Sequence, residues 1–457
     1  MTLPKGKTPE TSGSERVSTK QRRIAELARG APGMVLTTLA HHIDMDWMQE
    51  AWRRTRKDGA VGVDGQDAKE FAADLEGNLS RLLEAIRSGS YRAPPVRRVY
   101  IPKADGSQRP IGIPTFADKV AQRAVAMLLE AVYEQDFLDC SYGFRPGRSA
   151  RQAVDAVQTQ IKMWSSAGGG WVLEVDVKSF FDTLDFAHLR RILSQRVRDG
   201  VVERMIGKWL HAGVLESGAV THPTQGTPQG GVISPMLSNI FLHTVVDIWF
   251  AQHVLPGLDG EARLVRYADD LVIMFRRKED AVRVKELLSD RMQQYGLTLH
   301  PTKTRLVRFT NPHRWVRRPT PGGYPESFDF LGFTFYWGQG LQTRAYVGRW
   351  IVKTKTARKS LTRALSSVRT WIRRHRHRPV RWQWEELQKK VRGHYGYFQR
   401  PGNSPSLRCF VNEVIAAWRK WLGRRSHKAH GTWAWMRELL TRYPLMPPPT
   451  ACLVAHA

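Results

Sequence analysis

The chain has 457 residues, 42% of them hydrophobic, which is enough for two or three domains with a sizeable core. Lys and Arg number 71 against 42 Asp and Glu, a formal net charge of +29. From Pro301 to Ala457 there are 31 basic and 6 acidic residues, so most of the excess lies in the last third. Such an excess repels itself unless a polyanion is bound, which favours nucleic acid as the partner over a merely soluble basic protein.

Two other classes are disfavoured by the sequence. No apolar run approaches the ~18 residues needed to span a bilayer, and Met1–Lys20 is polar, without the apolar core of a secretory signal. The three cysteines, Cys140, Cys409 and Cys452, are far apart and form no Cys-x-x-Cys pair, which argues against a zinc site or a disulfide framework. We therefore expect a cytoplasmic protein without a membrane partner.

The elements of the first third are mostly helical. The composition of the first ~30 residues predicts a mobile segment. The patterns that follow predict helices within Met34–Ser88, a strand at Val96–Ile101, a turn at Lys103–Pro110 and a helix through Ala121–Val132.

The middle of the chain alternates strands and helices. Strands are predicted at Trp171–Val177, Leu264–Tyr267 and Leu271–Phe275. A helix is predicted at Pro235–Phe250, with Ser234 as its N-cap and proline at its first position.

After an aromatic-rich strand region at Phe328–Trp337, the character of the chain changes. Leu361–Arg374 and Phe410–Leu422 read as basic amphipathic helices. Ten of the sixteen tryptophans lie between Trp315 and Trp435. Basic residues interleaved with aromatic ones are typical of RNA binding, although most of these aromatic side chains are expected to build a core.

Tyr267-Ala268-Asp269-Asp270 is the strongest chemical signal. Two adjacent carboxylates stand between two apolar runs, which predicts a β-hairpin with charges at its bend. The two charges repel each other, and burial would raise a carboxylate pKa. A divalent cation relieves both problems, and Mg²⁺ prefers such oxygen ligands. The alternative is a solvated Asp-Asp turn.

Asp176, at the end of the strand that begins at Trp171, is the second signal. A carboxylate flanked by apolar residues needs a partner, unless the strand end reaches solvent. Glu174 and Asp182 are nearby alternatives. One strand aspartate with a hairpin Asp-Asp pair is the metal layout of two-metal polymerases, which predicts two Mg²⁺ per site.

Two turns complete the pattern. The glycines of Gly226–Gly231 permit close approach of a base pair, and Gln229 both donates and accepts hydrogen bonds. In the turn from Lys103 to Arg109, two cations flank a glycine and are suited to clamping a triphosphate. Taken singly, the first reads equally well as a structural turn and the second as an exposed basic hairpin.

In this order, the elements resemble the sequence blocks of reverse transcriptases, and specifically those of the group II intron-encoded family. The resemblance runs from about Ala51 to Arg425 and includes Gly62–Gly65, which is similar to the family's N-terminal extension. The matching runs are Arg97–Lys103 with Gln108–Pro114, Tyr142–Ser149, Glu174–Asp182, Thr227–Pro235, Tyr267–Asp270, Gly296–Lys303 and Phe330–Phe333.

The resemblance implies a role for each residue that matches a motif. The catalytic metal ligands would be Asp176, Asp269 and Asp270, with the Val177 carbonyl as a further ligand. Phe181 would lie under the sugar and exclude a ribose 2′-hydroxyl, although a core phenylalanine is the alternative. The remaining implied contacts are Lys103, Arg109, Gln229, Gly230 and Lys303 for the dNTP, and Arg145 and Arg148 for the template.

The segment Thr343–Arg425 resembles the thumb, or maturase-specific domain, of the same family, including Val391–Phe398 and Trp418–Trp421. The expected RNA contacts there are Arg373, Arg374, Lys389, Lys390, Arg419 and Lys420. Many members of the family continue into an HNH endonuclease region with paired cysteines. This sequence has no such residues, so no site-directed DNA cleavage is expected.

The resemblance implies an α+β right-hand polymerase with fingers, a palm built on an antiparallel sheet, and a helical thumb. The expected domains are 1–92 (N-terminal extension and start of the fingers), 93–340 (fingers and palm), 341–435 (thumb) and 436–457 (tail). The expected function is an RNA-directed DNA polymerase that binds group II intron RNA, assists its splicing and copies it from a DNA primer or target for retrohoming. The alternatives are a polymerase recruited to phage defence or to a CRISPR system, and a splicing cofactor with vestigial polymerase activity.

Overall fold

The computed structural model of this chain describes residues 13–102, 108–165, 169–216, 219–221, 230–312, 326–340, 350–425 and 431–449. They form helices and three small sheets. The helices are α1 (Gly13–Gly30), α2 (Met45–Arg54), α3 (Ala68–Ala73), α4 (Leu75–Ser88), α5 (Phe116–Tyr133), α6 (Ala150–Ser165), α7 (Phe180–Thr183), α8 (Phe186–Ser194), α9 (Gly200–Leu210), α10 (Ser234–Leu242), α11 (Lys278–Gln294), α12 (Arg358–His375), α13 (Val380–Phe398), α14 (Ser404–Leu422) and α15 (Trp433–Arg442). The strands are β1 (Val96–Pro102), β2 (Gln108–Ile113), β3 (Gly169–Val175), β4 (Val214–Glu216), β5 (Ala219–Thr221), β6 (Ala262–Tyr267), β7 (Asp270–Phe275), β8 (Arg305–Thr310), β9 (Phe328–Phe330), β10 (Phe333–Gln339) and β11 (Trp350–Thr356).

The N-terminal helices pack around α5, which is buried along almost its whole length. Helix α1 buries Val17 and Ile24 against this layer, and the Trp47 indole of α2 donates to the Ala124 carbonyl at 3.0 Å. The expectation of a mobile segment is therefore wrong for residues 13–30. This segment is mostly polar, but a few apolar residues lie on one face of the helix. They are enough to hold the helix in place because they pack against the large apolar face of α5.

The first sheet has the order β2-β1-β4-β5. Strands β1 and β2 are antiparallel, with Ile101 opposite Arg109, and the predicted strand at Val96–Ile101 is confirmed. The turn that joins these strands includes Lys103 and lies outside the described residues.

The second sheet, of order β6-β7-β3-β8, is antiparallel throughout and lies at the centre of the chain. It confirms the three strands predicted for the middle of the sequence. Alternate residues enter two hydrophobic clusters: Leu271 and Ile273 of β7 point into one, and Val272 and Met274 into the other. Burial of both faces explains why these strands are nearly continuous runs of apolar residues.

The helix predicted from Pro235 to Phe250 is present but differs at both ends. Helix α10 begins at Ser234, with Ile233 in the N-cap position and no side-chain cap, so the assignment of Ser234 as N-cap is wrong. Beyond Leu242 the chain continues with π-helical hydrogen bonding through His243–Ile248 and Phe250–Val254.

The third sheet, β11-β10-β9, leads into a bundle of α12 to α15. The aromatic strand predicted at Phe328–Trp337 is two strands, because the chain turns at Leu331, which has a φ of 48°. The bundle core includes the fully buried Trp418. Met436 and Leu445 belong to the same core, so the expected domain boundary after residue 435 passes through it. No helix within the described ranges is long and apolar enough to cross a membrane.

Candidate active site

The hairpin of β6 and β7 turns through a two-residue bend. Tyr267 pairs with Asp270, which leaves Ala268 and Asp269 at the bend. Ala268 has a φ of 55°, the left-handed conformation that tight hairpin turns require at this position. The bend therefore presents two successive carboxylates at one end of the central sheet.

Asp176 directly follows β3, at the end of this sheet where Asp270 begins β7. Strands β3 and β7 pair Glu174 with Val272 and Val175 with Leu271, so one further step in the register brings Asp176 to Asp270. Neighbouring strands are ~4.8 Å apart, and directly opposed residues point to the same face. The sheet thus joins two carboxylates that are 94 positions apart in the sequence.

Lys303 stands on the other side of Asp176. Strand β8 pairs with β3 so that Arg305 faces Glu174, and two residues earlier the Lys303 ammonium binds the Asp176 carboxylate at 3.0 Å. The Asp176 backbone accepts a hydrogen bond from the His300 N–H at 2.7 Å. Asp176, Asp270 and Lys303 line one cleft.

The two hairpin carboxylates have raised pKa values. Desolvation raises the pKa of Asp269, and the positive charges of Arg109 and Arg266 oppose this rise. Asp270 opens onto the cleft, yet desolvation by the surrounding protein, with the negative charges of Asp269 and Asp176, raises its pKa to about 6. The interactions also show that the structure brings Arg109 of β2 within electrostatic reach of both aspartates.

The chemistry of these donors fits a divalent cation. In addition to desolvation, the negative charge of Asp176 raises the pKa of both Asp269 and Asp270, and that of Asp269 further raises the pKa of Asp270, so a cation would relieve the repulsion. Hard oxygen ligands of this kind are those that Mg²⁺ takes in proteins. Among the described residues, however, no three His, Cys, Asp or Glu side chains are close enough together to hold one ion. Val177 forms an isolated bridge with Leu299, and its carbonyl stays only a predicted ligand.

The nucleotide-binding residues are only partly described. Phe181 is half-buried and packs against the buried Phe180, with the two ring centroids 5.2 Å apart. Phe181 therefore lies at the edge of the hydrophobic core. Gly230 has a φ of 113°, and a Cβ there would lie 2.7 Å from the Ile111 side chain, so only glycine fits against β2. Lys103 and Gln229 lie outside the described residues.

The two arginines expected at the template are placed differently. Arg145 is buried and bonded to the Glu134 carboxylate and to the Leu138 and Ser141 carbonyls. That position does not fit a template contact, because the guanidinium holds a turn together inside the protein. Arg148 is partly exposed and binds Asp139 at 2.5 Å, so it remains available at the surface.

The alternative carboxylates have other partners or positions. Glu174 also lines the cleft, but its carboxylate is already paired, because it binds Arg305 and accepts from the Asp329 N–H at 2.7 Å. Asp182 is exposed on α7. The position of Asp176 between Asp270 and Lys303 supports the choice of Asp176.

The six basic residues predicted to contact RNA do not lie together on one surface. Arg373 and Lys420 lie within 6 Å of the Trp421 ring centroid, at 5.7 and 5.9 Å. The Arg419 guanidinium lies over Trp433 at 4.3 Å. On α13, Lys390 lies over a different ring, that of Trp371, and Lys389 pairs with Glu386. Arg374 is exposed on α12.

Sequence reasoning missed Arg266, the residue before Tyr267. Its guanidinium is completely buried and paired with Asp247. The signal was present, because an arginine between Val265 and the Asp-Asp bend occupies a position where neighbouring residues are apolar. Its partner, 19 residues earlier on a helix, could not be identified from the pattern.

The family model described as reverse transcriptase (RNA-dependent DNA polymerase) matches residues 101–335, just over half of the chain. The protein YkfC of Escherichia coli is 38% identical over 55% of this chain and 66% of its own length. The group II intron-encoded protein LtrA of Lactococcus lactis is 39% identical over 37% of this chain and 27% of its own.

A further relative is an uncharacterised 91 kDa protein in the cob intron of Schizosaccharomyces pombe. It is 36% identical over 41% of this chain and 22% of its own length. The chain thus aligns with between about a fifth and two thirds of the length of these relatives. The match to the family model shows that the chain belongs to the reverse transcriptase (RNA-dependent DNA polymerase) family, and within it the chain is similar to the group II intron-encoded protein LtrA.

Proposed function

We propose that this chain is an RNA-directed DNA polymerase, with Asp176, Asp269 and Asp270 as its metal ligands. The observation that supports the proposal is the pairing of Val175 in β3 with Leu271 in β7, because Asp176 and Asp270 are the next residues beyond that pair. The proposed right hand has its palm at the central sheet, its fingers in the N-terminal helices with β1 and β2, and its thumb in α12 to α15.

Each side chain has a distinct task in the proposed reaction. The three aspartates would hold two Mg²⁺ ions, and the ions would supply activation of the primer 3′-hydroxyl and charge stabilisation on the triphosphate. Arg109, already close to the aspartates, binds the triphosphate together with Lys103. The Lys303 ammonium, which pairs with the Asp176 carboxylate, also binds the incoming phosphates.

The remaining residues select the nucleotide. Phe181, at the edge of the core beside the buried Phe180, supports the sugar and leaves no room for a 2′-hydroxyl. Gly230 permits close approach of the nascent base pair, and Gln229 contacts its edge. The deoxyribose preference rests on the family resemblance.

The test is primer extension on an RNA template by the double variant Asp269→Asn, Asp270→Asn. We expect a loss of at least a thousand-fold, about 4 kcal/mol of transition-state stabilisation, with the affinity for RNA retained. Asp259→Asn is the matched control, because that carboxylate is 77% exposed and pairs with Arg277. DNA synthesis by the double variant at the control's rate would refute the assignment.

We also propose that the C-terminal bundle binds RNA, because of the charges around Trp421. The cationic groups of Arg373, Arg376, Lys420 and Arg424 lie 5.5 to 5.9 Å from its ring centroid. Arg373, Lys420 and Arg424 border a groove of about 730 Å³ between α12 and α14. So many cations around one ring suit a phosphate backbone with an unpaired base on the aromatic face.

Salt-dependent binding tests this second role. Arg373→Gln should lower the slope of log affinity against log salt by ~0.7 to 0.9, the value for one lost phosphate contact. Trp421→Ala should weaken single-stranded RNA binding by ~1–3 kcal/mol. Arg381→Gln is the control, since this α13 residue is 78% exposed and pairs with Glu385. If neither variant differs from the control, the groove is not an RNA site.

Splicing assistance and retrohoming are proposed on the strength of the intron-encoded relatives alone. The alternatives are recruitment to phage defence or to a CRISPR system, and a splicing cofactor with vestigial polymerase activity. Crosslinking in the host followed by sequencing of the bound RNA separates them. One long, excised intron RNA would support a maturase, and a short or heterogeneous set would exclude that role. A wild-type protein inert with RNA template, primer, dNTPs and Mg²⁺ would favour the cofactor.

A further inference from the structure

The guanidinium of Arg266 uses all five of its N–H groups inside the protein. It forms a two-bond pair with Asp247, with Nε to Oδ1 at 2.8 Å and Nη2 to Oδ2 at 2.6 Å. The other three hydrogens go to the Asn239 Oδ1 at 3.0 Å, the Ser141 hydroxyl at 2.8 Å and the Ala268 carbonyl at 3.1 Å. Both charged side chains are 0% exposed.

Stability alone does not account for this arrangement. Removing two charges from water is costly, and apolar residues of the same volume often stabilise a fold as well as a buried ion pair does. A guanidinium with five satisfied donors instead imposes a fixed geometry on its partners, because its hydrogens point in fixed directions.

The hydrogen bond to the Ala268 carbonyl connects Arg266 to the proposed metal ligands. This oxygen belongs to the peptide group between Ala268 and Asp269, so holding it sets the orientation of the Asp269 backbone. Ala268 has a φ of 55°, a conformation that residues other than glycine rarely adopt. The hydrogen bond from Arg266 supports this bend from inside the protein.

Arg266 is itself held from two further segments. Asp247 lies in the π-helical stretch His243–Ile248, and such stretches often occur at functional sites. Asn239, one turn before that stretch, donates to the Gly143 carbonyl at 2.6 Å. A Cβ at Gly143 would come within 2.9 Å of the Tyr267 carbonyl carbon, so this segment lies directly against the hairpin.

We propose that Arg266, held by Asp247, is a positioning residue that orients Asp269 and Asp270 through the Ala268 carbonyl. The proposal rests on the proposed function of these two aspartates as metal ligands. It assigns Arg266 no contact with substrate.

The test compares Arg266→Lys with a matched variant elsewhere in the chain. Arg196 is also buried and uses five donors, two to Asp136 and one each to the carbonyls of Ala28, Ala31 and Met34. Arg196→Lys therefore removes the same fork geometry among the N-terminal helices. The measurements are the melting temperature, the single-turnover rate of nucleotide addition, the KM for dNTP, and Mn²⁺ binding by electron paramagnetic resonance.

Both variants should lower the melting temperature. Only Arg266→Lys should lower the rate per folded molecule, by ~100-fold for a displacement of ~1 Å, and weaken Mn²⁺ binding, with the KM for dNTP unchanged. Equal rates and Mn²⁺ affinities in the two variants would overturn the proposal.

A second variant keeps the proposal testable if Arg266→Lys does not fold. Asn239→Ala leaves the pair with Asp247 intact and removes one acceptor of Arg266 and the bond to Gly143. We expect a rate at least 10-fold below wild type with normal RNA binding, and an unchanged rate would overturn the proposal. Activity of the double variant Asp269→Asn, Asp270→Asn would instead refute the function of the aspartates.

Discussion

Replacing Gly143 by alanine tests whether the polymerase depends on the exact position of the hairpin bend. An added Cβ would lie 2.9 Å from the Tyr267 carbonyl carbon and 3.2 Å from the Ala268 Cα, and closer still to the Ala268 nitrogen. These are backbone atoms, so no side-chain rotation relieves the contact. The backbone of the hairpin, or that of the segment containing Gly143, has to move.

The size of that movement follows from the distances. Non-bonded carbon atoms are comfortable at ~3.5 Å, so the bend must shift by about 1 Å. A misplacement of ~1 Å in a catalytic group costs on the order of 100-fold in rate. We therefore expect Gly143→Ala to lower kcat for primer extension by about that factor, with RNA binding unchanged.

Gly62→Ala is the matched control. A Cβ at Gly62 would lie 2.5 Å from the Thr115 Cα, an equally severe backbone contact in a segment that holds none of the three aspartates. Single-turnover extension and thermal melting are measured for both variants. A normal rate in Gly143→Ala, or an equal loss in both variants, would refute the reasoning.

Three further predictions concern single side chains. The pKa of Asp270 in the folded protein, about 6, exceeds its ordinary value, so above about pH 6 the ionised carboxylate destabilises the fold. Without Mg²⁺, Asp270→Asn should therefore stabilise the fold at pH 7.5. Urea unfolding should show that this gain vanishes towards pH 4. The shift corresponds to at most ~3 kcal/mol, and solvent at the cleft reduces the expected gain to about 1 kcal/mol. Lys303→Met should raise the KM for dNTP by ~10-fold or more, since hydrogen bonds to charged groups contribute ~1.5–3 kcal/mol; unchanged steady-state kinetics would contradict a phosphate contact. Trp418→Ala should lower the free energy of unfolding of the bundle by ~3–5 kcal/mol, because the ring is fully buried and its N–H binds Gln383, and a smaller loss would mean that the bundle repacks.

Local patterns were sufficient where one element decides the outcome. The strands around Asp269 and Asp270 were predicted because two apolar runs separated by a short polar turn are typical of a hairpin, and the two runs do pair. The long helix α5 was predicted because its apolar residues recur at helical spacing. Helix α1 was not predicted, because its few apolar residues stabilise a helix only when they pack against α5.

For this protein, the sequence by itself determined the chemistry available: the acidic bend, the strand aspartate, the basic last third and the order of the reverse transcriptase blocks. Only the tertiary structure decided which residues meet. The register of β3, β7 and β8 brings Asp176 between Asp270 and Lys303. Burial turned Arg145 from an expected template contact into a structural residue and revealed Arg266 beneath the bend. The physical reason is that strand pairing and burial depend on contacts between segments far apart in the chain, and local residue patterns hold no record of them.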